Sequence, residues 1–175
     1  MKFLSLQHIA IEDPGTFKDF LLDDGHSLTT IQLDEGENIP SNLDEFDAML
    51  CMRGPMDTHM EQEYPWLGPE KKAICEYVLN LEKPFLGFCL GCQLLGEVLG
   101  GQVVKSNPSE IGVLDIHSQE DIMIDPIFSF LPQSFKALQW HSYEVVGLEN
   151  NKDVCLLYTS PSPRDLSTSR MPSSA

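Results

Sequence analysis

Short apolar runs alternate with amphipathic stretches along the first hundred residues. Lys2 to Leu6 is the first strand candidate. Asp13-Pro14 supplies a cap and a first-turn proline, which predicts a helix from Pro14 to Leu22. Gly25 stops it. Ser27 to Leu33 (S-L-T-T-I-Q-L) is rich in β-branched residues and predicts a second strand. Asp34 to Asn42 is an acidic loop. Phe46 to Met52 predicts a buried third strand, followed by the tight loop Arg53-Gly54-Pro55-Met56. Gly68-Pro69 opens a second helix, with Ala73, Ile74, Tyr77, Val78 and Leu81 on one face at i, i+3, i+4 spacing. Pro84 to Phe88 predicts strand four. Leu90 to Leu99 predicts helix three, closed by Gly100-Gly101.

This alternation implies an α/β fold: a mostly parallel sheet with helices on both faces. In such sheets sites gather at the carboxyl ends of the strands. Arg53-Gly54-Pro55 and Cys89 each follow a predicted strand, so they belong on one rim. Val103 to Lys105, Val113 to His117 and Phe135 to Val146 are further strand-like segments. There is no internal repeat, and 175 residues set one domain as the default.

Composition narrows the function classes. A formal charge of −16 opposes a nucleic-acid surface and suits anionic membrane poorly. No apolar run approaches the ~20 residues of a membrane span. Met1 to Ala10 lacks the length and cleavage site of a signal peptide and reads better as the first strand. The cysteines, at 51, 75, 89, 92 and 155, form no even framework. Free thiols in a reducing cytoplasm are the expectation.

The strongest chemical signal is G-F-C-L-G-C-Q, residues 87 to 93. Small residues two before and two after Cys89 permit a sharp turn from strand to helix, the geometry that holds the serine of a G-x-S-x-G motif. A cysteine there is exposed at the positive end of a helix, which favours thiolate. Cys89 is thus the candidate nucleophile. Cys89-x-x-Cys92 also fits a thioredoxin-like redox pair, in which both thiols would exchange with a disulfide. The plainer reading of Cys92 is a small apolar filler on the buried side of helix three. Cys51 and Cys75 sit in apolar patterns and are expected to be buried and inert. Tyr64-Pro65-Trp66 reads as a packed turn. The histidines at 8, 26, 59 and 117 have no ligand spacing and read as loop or surface residues, so no metal site is expected.

Several segments occur in a telling order: Met52 to Met56 (M-R-G-P-M), Glu63 to Leu67 (E-Y-P-W-L), the cysteine turn, Glu110-Ile111-Gly112, and Trp140 to Val145 (W-H-S-Y-E-V). Over residues 1 to 154 the chain resembles a class I glutamine amidotransferase, in the stand-alone branch similar to the glutaminase domain of GMP synthase. The resemblance implies a flavodoxin-like fold and a cysteine that attacks the glutamine side-chain amide, forming a γ-glutamyl thioester and releasing ammonia. Cys89 would be that nucleophile. The backbone N–H groups of Leu90 and Gly54 would form the oxyanion hole. Gln93 would help hold the polar end of the substrate, and backbone near Ser142 and Tyr143 would bind its α-amino and carboxylate groups. The resemblance implies no cofactor. It implies glutamine or another γ-glutamyl small molecule as substrate, and allows an ammonia-accepting synthetase as partner.

The chain departs from the family pattern. Arg53 and Ser142 stand where small residues are common. The family's catalytic histidine, in a His-Pro-Glu-like motif, lies well downstream of the W-H-x-x-x-V segment, and here no histidine follows His141. His141 matches a substrate-side structural segment rather than the base. Residues 155 to 175 are rich in serine and proline and lack amphipathic period. Cys155 to Asp165 and Ser169 to Ala175 resemble a translated frame of a transposase sequencing adaptor on either side of an index-sized gap. The expectation is a partial amidotransferase domain over 1–154, with the last part of the fold missing. An artefactual, disordered tail is expected over 155–175, and a chain without its general base is expected to be inactive. The other readings are a hydrolase of another γ-glutamyl compound and a non-catalytic binding module.

Overall fold

The computed structural model describes residues 1–119, 125–152, 154 and 158–159. The expected tail at 155–175 therefore lies outside the described residues, apart from Tyr158 and Thr159. The chain divides into two compact units, Met1–Val103 and Val104–Ala175.

The first unit is the predicted α/β layer. Strands β1 (Lys2–Gln7), β2 (Ser27–Gln32), β3 (Ala48–Cys51) and β4 (Phe85–Gly87) form one sheet in the order β2-β1-β3-β4. All three pairings are parallel. Helices α1 (Thr16–Asp23), α2 (Leu67–Cys75) and α3 (Leu90–Val98) connect them. Alternation along the strands sends side chains to opposite faces. Leu4, Leu6, Met49 and Cys51 pack with Leu67, Ile74, Tyr77, Leu90 and Leu94 of the α2/α3 layer. Phe3, Ala48 and Leu50 pack with Leu21 and Phe17 of α1. Both faces of the sheet are thus covered.

Each element falls within a few residues of its expected span. Helix α1 starts at Thr16 rather than Pro14, because Gly15 takes a positive φ of 53° as its N-cap. Helix α2 runs on into a wider π turn over Glu76–Asn80, which keeps Tyr77 buried and lets its hydroxyl donate to the Phe46 carbonyl at 3.0 Å. Tyr64 and Trp66, their ring centroids 5.2 Å apart, pack against the larger core, as expected of a packed turn.

The second unit departs from the expectation. The segments Val103–Lys105 and Val113–His117 are parts of one strand, β5 (Gln102–Ser118). With β6 (Ser134–Val146) and β7 (Tyr158–Thr159) it makes a separate sheet in the order β6-β5-β7. The polar run Ser106 to Gly112, with Pro108 inside it, hid this continuity, since proline cannot donate to a ladder and reads as a break.

Candidate active site

Parallel pairing puts the carboxyl ends of β1, β3 and β4 on one rim. The register continues past the strands: Met52 N–H donates to the Leu6 carbonyl and Phe88 N–H to the Cys51 carbonyl, both at 2.9 Å. His8, the Met52–Gly54 loop and Phe88–Cys89 therefore leave the sheet side by side, as the sequence predicts for Arg53-Gly54-Pro55 and Cys89. A cavity of about 330 Å³ opens here, lined by Asp13, Pro14, Gly15, Phe17, Met52, Arg53 and Phe88. The contribution of the β1–α1 loop to this rim was not legible in the sequence, because no motif marks it.

Cys89 sits at the N-cap of α3 with φ 49° and ψ −102°. A positive φ in a non-glycine residue costs about 1–3 kcal/mol and persists only where the surroundings impose it. Here the imposing groups are backbones. A Cβ on Gly87 would lie 2.5 Å from the Gly91 carbonyl carbon and 2.6 Å from the Cys92 nitrogen. A Cβ on Gly91 would lie 2.8 Å from the Cys51 carbonyl carbon and nearer still to its oxygen. The glycines two before and two after the cysteine let strand, turn and helix close on one another. The turn leaves Cys89 exposed.

The electrostatics differ from the expectation of a thiolate-favouring site. Burial of the sulfur pushes the Cys89 thiol above its ordinary pKa; the Leu90 N–H, bonded to the sulfur, pulls it down, Glu12 pushes it up and Arg53 pulls it down. Desolvation wins, so the helix terminus alone does not ionise Cys89. Cys92 also corrects the sequence reading: it is exposed, not a buried filler. Its thiol too is pushed up, by burial and then by Cys89, the opposite of a low-pKa redox pair.

Gly54 lies in the loop after β3. A Cβ there would stand 3.0 Å from Leu90 Cδ2 and 3.1 Å from His8 Cβ, with the Met56 sulfur closer again. Only glycine fits this approach. Gln93 is in the first turn of α3, only 9% exposed, and its N–H donates to the Cys89 carbonyl at 3.0 Å. Ser142 and Tyr143 lie on β6 in the second unit. In that unit His141 is tied to its own sheet. Its Nε2 is 3.2 Å from Glu110 Oε2 and 3.1 Å from Gln139 Oε1, and Nδ1 donates to the Tyr143 carbonyl at 3.1 Å. Two of the ordered segments, E-I-G and W-H-S-Y-E-V, thus meet across β5 and β6.

His8 is the clearest correction. The sequence reading placed it in a loop or on the surface, yet it is fully buried beside Glu70 and Cys51. His8 Nε2 is 2.9 and 3.1 Å from the two Glu70 oxygens. The Cys51 thiol donates to Glu70 Oε1 at 3.2 Å, and His8 Nδ1 is 3.2 Å from the Arg53 carbonyl oxygen. Burial lowers the His8 pKa, but the Glu70 hydrogen bond and charge, the Arg53 carbonyl and Glu12 together leave it raised. One signal was available: Glu70 falls on the apolar stripe of α2 with Ala73, Ile74 and Tyr77, and a buried carboxylate requires a partner. The ligand atoms of His8, Cys51 and Glu70 lie within 4.8 Å of one another, the one such grouping among the described residues. Each is already satisfied by hydrogen bonds within the cluster.

Comparison with known proteins bears on this rim directly. The family model "Glutamine amidotransferase class-I" matches residues 18–164. The glutamine amidotransferase-like protein YfeJ of Salmonella typhimurium is 27% identical over 149 residues, 84% of this chain and 62% of the relative. The glutamine-hydrolysing subunit of GMP synthase from Sulfolobus acidocaldarius is 36% identical over 104 residues, 59% of this chain and 50% of the relative. A crystal structure of a glutamine amidotransferase from Thermotoga maritima superposes with a TM-score of 0.76 at 31% identity, covering 83% of this chain and 62% of that one. The chain thus spans half to three-fifths of the length of these relatives. With its family model matched over most of its length and its fold shared, the chain belongs to the class I glutamine amidotransferases.

Proposed function

We propose that Cys89 is the nucleophile of a glutaminase reaction. Its sulfur attacks the side-chain amide carbon of glutamine, ammonia leaves, and water then hydrolyses the γ-glutamyl thioester. The observation that carries this reading is the turn at Cys89: positive φ, exposure, and the Leu90 N–H bonded to the sulfur. The Leu90 and Gly54 N–H groups serve as oxyanion donors, each worth about 3 kcal/mol in the transition state. Gln93, Ser142 and Tyr143 hold the substrate. The Cys89 thiol stays protonated near neutrality, so turnover needs a general base. His141 is engaged by Glu110, Gln139 and the Tyr143 carbonyl and is not that base. The 175-residue chain, with no later histidine, therefore hydrolyses glutamine negligibly by itself.

Relatives named as the glutamine-hydrolysing part of GMP synthase support a partner synthetase that accepts the ammonia. The free cysteines among the described residues support a reducing cytoplasmic setting.

An activated ester removes the need for the base to protonate a leaving group. With L-glutamate γ-(4-nitrophenyl) ester at mildly alkaline pH, we expect a burst of one nitrophenolate per chain and a γ-glutamyl group on Cys89 by mass spectrometry. Cys89→Ala abolishes both. A wild-type chain that shows no burst, or a burst that survives Cys89→Ala, overturns the assignment.

A further inference from the structure

We propose that His8 is a positioning residue for the oxyanion site: its Nδ1–H pins the Arg53 carbonyl, which turns the Gly54 N–H of the same peptide toward the acyl oxygen. The inference rests on the reading of Gly54 as an oxyanion donor.

The Arg53 carbonyl can only accept, so the His8 Nδ1 that meets it at 3.2 Å carries the proton. The Arg53–Gly54 peptide is trans, so its C=O and N–H point in opposite directions. Fixing the carbonyl toward His8 fixes the N–H away from it. Among the described residues, no backbone acceptor takes the Gly54 N–H, which leaves this donor open.

The clamp answers a weakness of the loop. Gly54 lets backbone approach the substrate closely, and the same lack of a Cβ lets the Arg53–Gly54 peptide rotate at little steric cost. A rotated peptide would present a carbonyl oxygen to the developing negative charge. His8 resists that rotation because its ring cannot move. Glu70 on α2 holds its Nε2 edge, and Cys51 at the end of β3 holds Glu70. All three side chains are fully buried. Three elements of one unit therefore fix a single peptide plane.

The test separates orientation from packing. Acylation by the γ-glutamyl nitrophenyl ester passes through an oxyanion; alkylation by iodoacetamide does not. Both consume the same thiolate, so the ratio of the two Cys89 rates isolates the donor site. His8→Gln keeps a donor near the Nε2 position and loses the one at Nδ1. His8→Asn keeps a donor near Nδ1 and loses the one at Nε2. We expect His8→Gln to lower the ratio about tenfold or more, since loss of an oxyanion donor costs about 10²–10³ in rate. We expect His8→Asn to restore it to within about threefold of wild type. A His8→Gln chain with the wild-type ratio overturns the positioning role alone. Absence of a burst in the wild-type chain overturns the nucleophile reading and the positioning role with it. Nitrogen-15 NMR of the wild-type His8 ring decides the matter without any variant: a protonated Nδ1 supports the clamp, and a bare Nδ1 overturns it.

Discussion

Cys51 and Cys89 end neighbouring parallel strands, and their fates diverge. In both, burial comes first among the causes that push the thiol pKa up. At Cys51 the Glu70 carboxylate adds to the effect, and the thiol is fully enclosed as a hydrogen-bond donor. At Cys89 the backbone turns at positive φ, the sulfur reaches the surface, and the Leu90 N–H and Arg53 oppose the upward push. The same residue type at the same level of one sheet is a structural clamp in one place and a candidate nucleophile in the other. What separates them is the path of the next two residues and the sign of the nearest charge.

The largest expected effect comes from forcing the two sites apart. Gly91 lies in α3, and on an exposed helix Gly→Ala would gain about 1 kcal/mol. Here the added methyl would drive into the Cys51 backbone. Overpacking of this kind costs about 3 kcal/mol. Gly91→Ala should therefore lose about 2 kcal/mol net, lowering Tm by about 6 °C in a chain of this size. A Tm at or above wild type in a thermal melt would show that α3 can shift away from β3, and that the Cys89 turn does not depend on this contact.

How much of this was legible follows the range of the signals. The strand-helix rhythm of residues 1–103 is local, so β1 to β4 and α1 to α3 were readable to within a few residues. So was the turn at Cys89, because Gly87 and Gly91 act at fixed short spacing. The His8–Glu70 contact spans 62 residues and has no spacing rule. Only the misplaced carboxylate on the apolar face of α2 hinted at it. The thiolate expectation at Cys89 failed because a helix terminus is a local feature, whereas desolvation is set by the whole rim. The second sheet was read as fragments, since Pro108 and its polar neighbours interrupt the alternation of β5.

A middle-sized effect tests the Cys51 side. His8 has a raised pKa in the folded chain, so the folded state holds the proton more tightly than the unfolded state. The stability this contributes is fully present below the unfolded imidazole value of about 6.5 and is lost as pH rises through the folded value. Urea unfolding of the wild-type chain should show that decline above pH 6.5, and His8→Gln should flatten it. An unchanged slope in His8→Gln would assign the pH dependence to other groups and remove the charge from the clamp.

The smallest effect tests the Cys89 side, where two charges act in opposite directions. Glu12 raises the thiol pKa and Arg53 lowers it, both through space. The two are themselves paired, Arg53 Nε lying 3.5 Å from Glu12 Oε1, so each partly cancels the other at the sulfur. The Arg53 side chain is 60% exposed, which leaves its influence open to solvent and salt screening. Glu12→Gln should move the midpoint of the pH profile for Cys89 alkylation downward and speed alkylation at fixed pH below that midpoint. Arg53→Gln should move it upward. Both displacements should shrink as salt is raised, because they are Coulombic, while the larger upward push from burial should stay. If neither variant moves the midpoint at low salt, the rim charges play no part, and desolvation and the Leu90 N–H alone set the difference between Cys89 and Cys51.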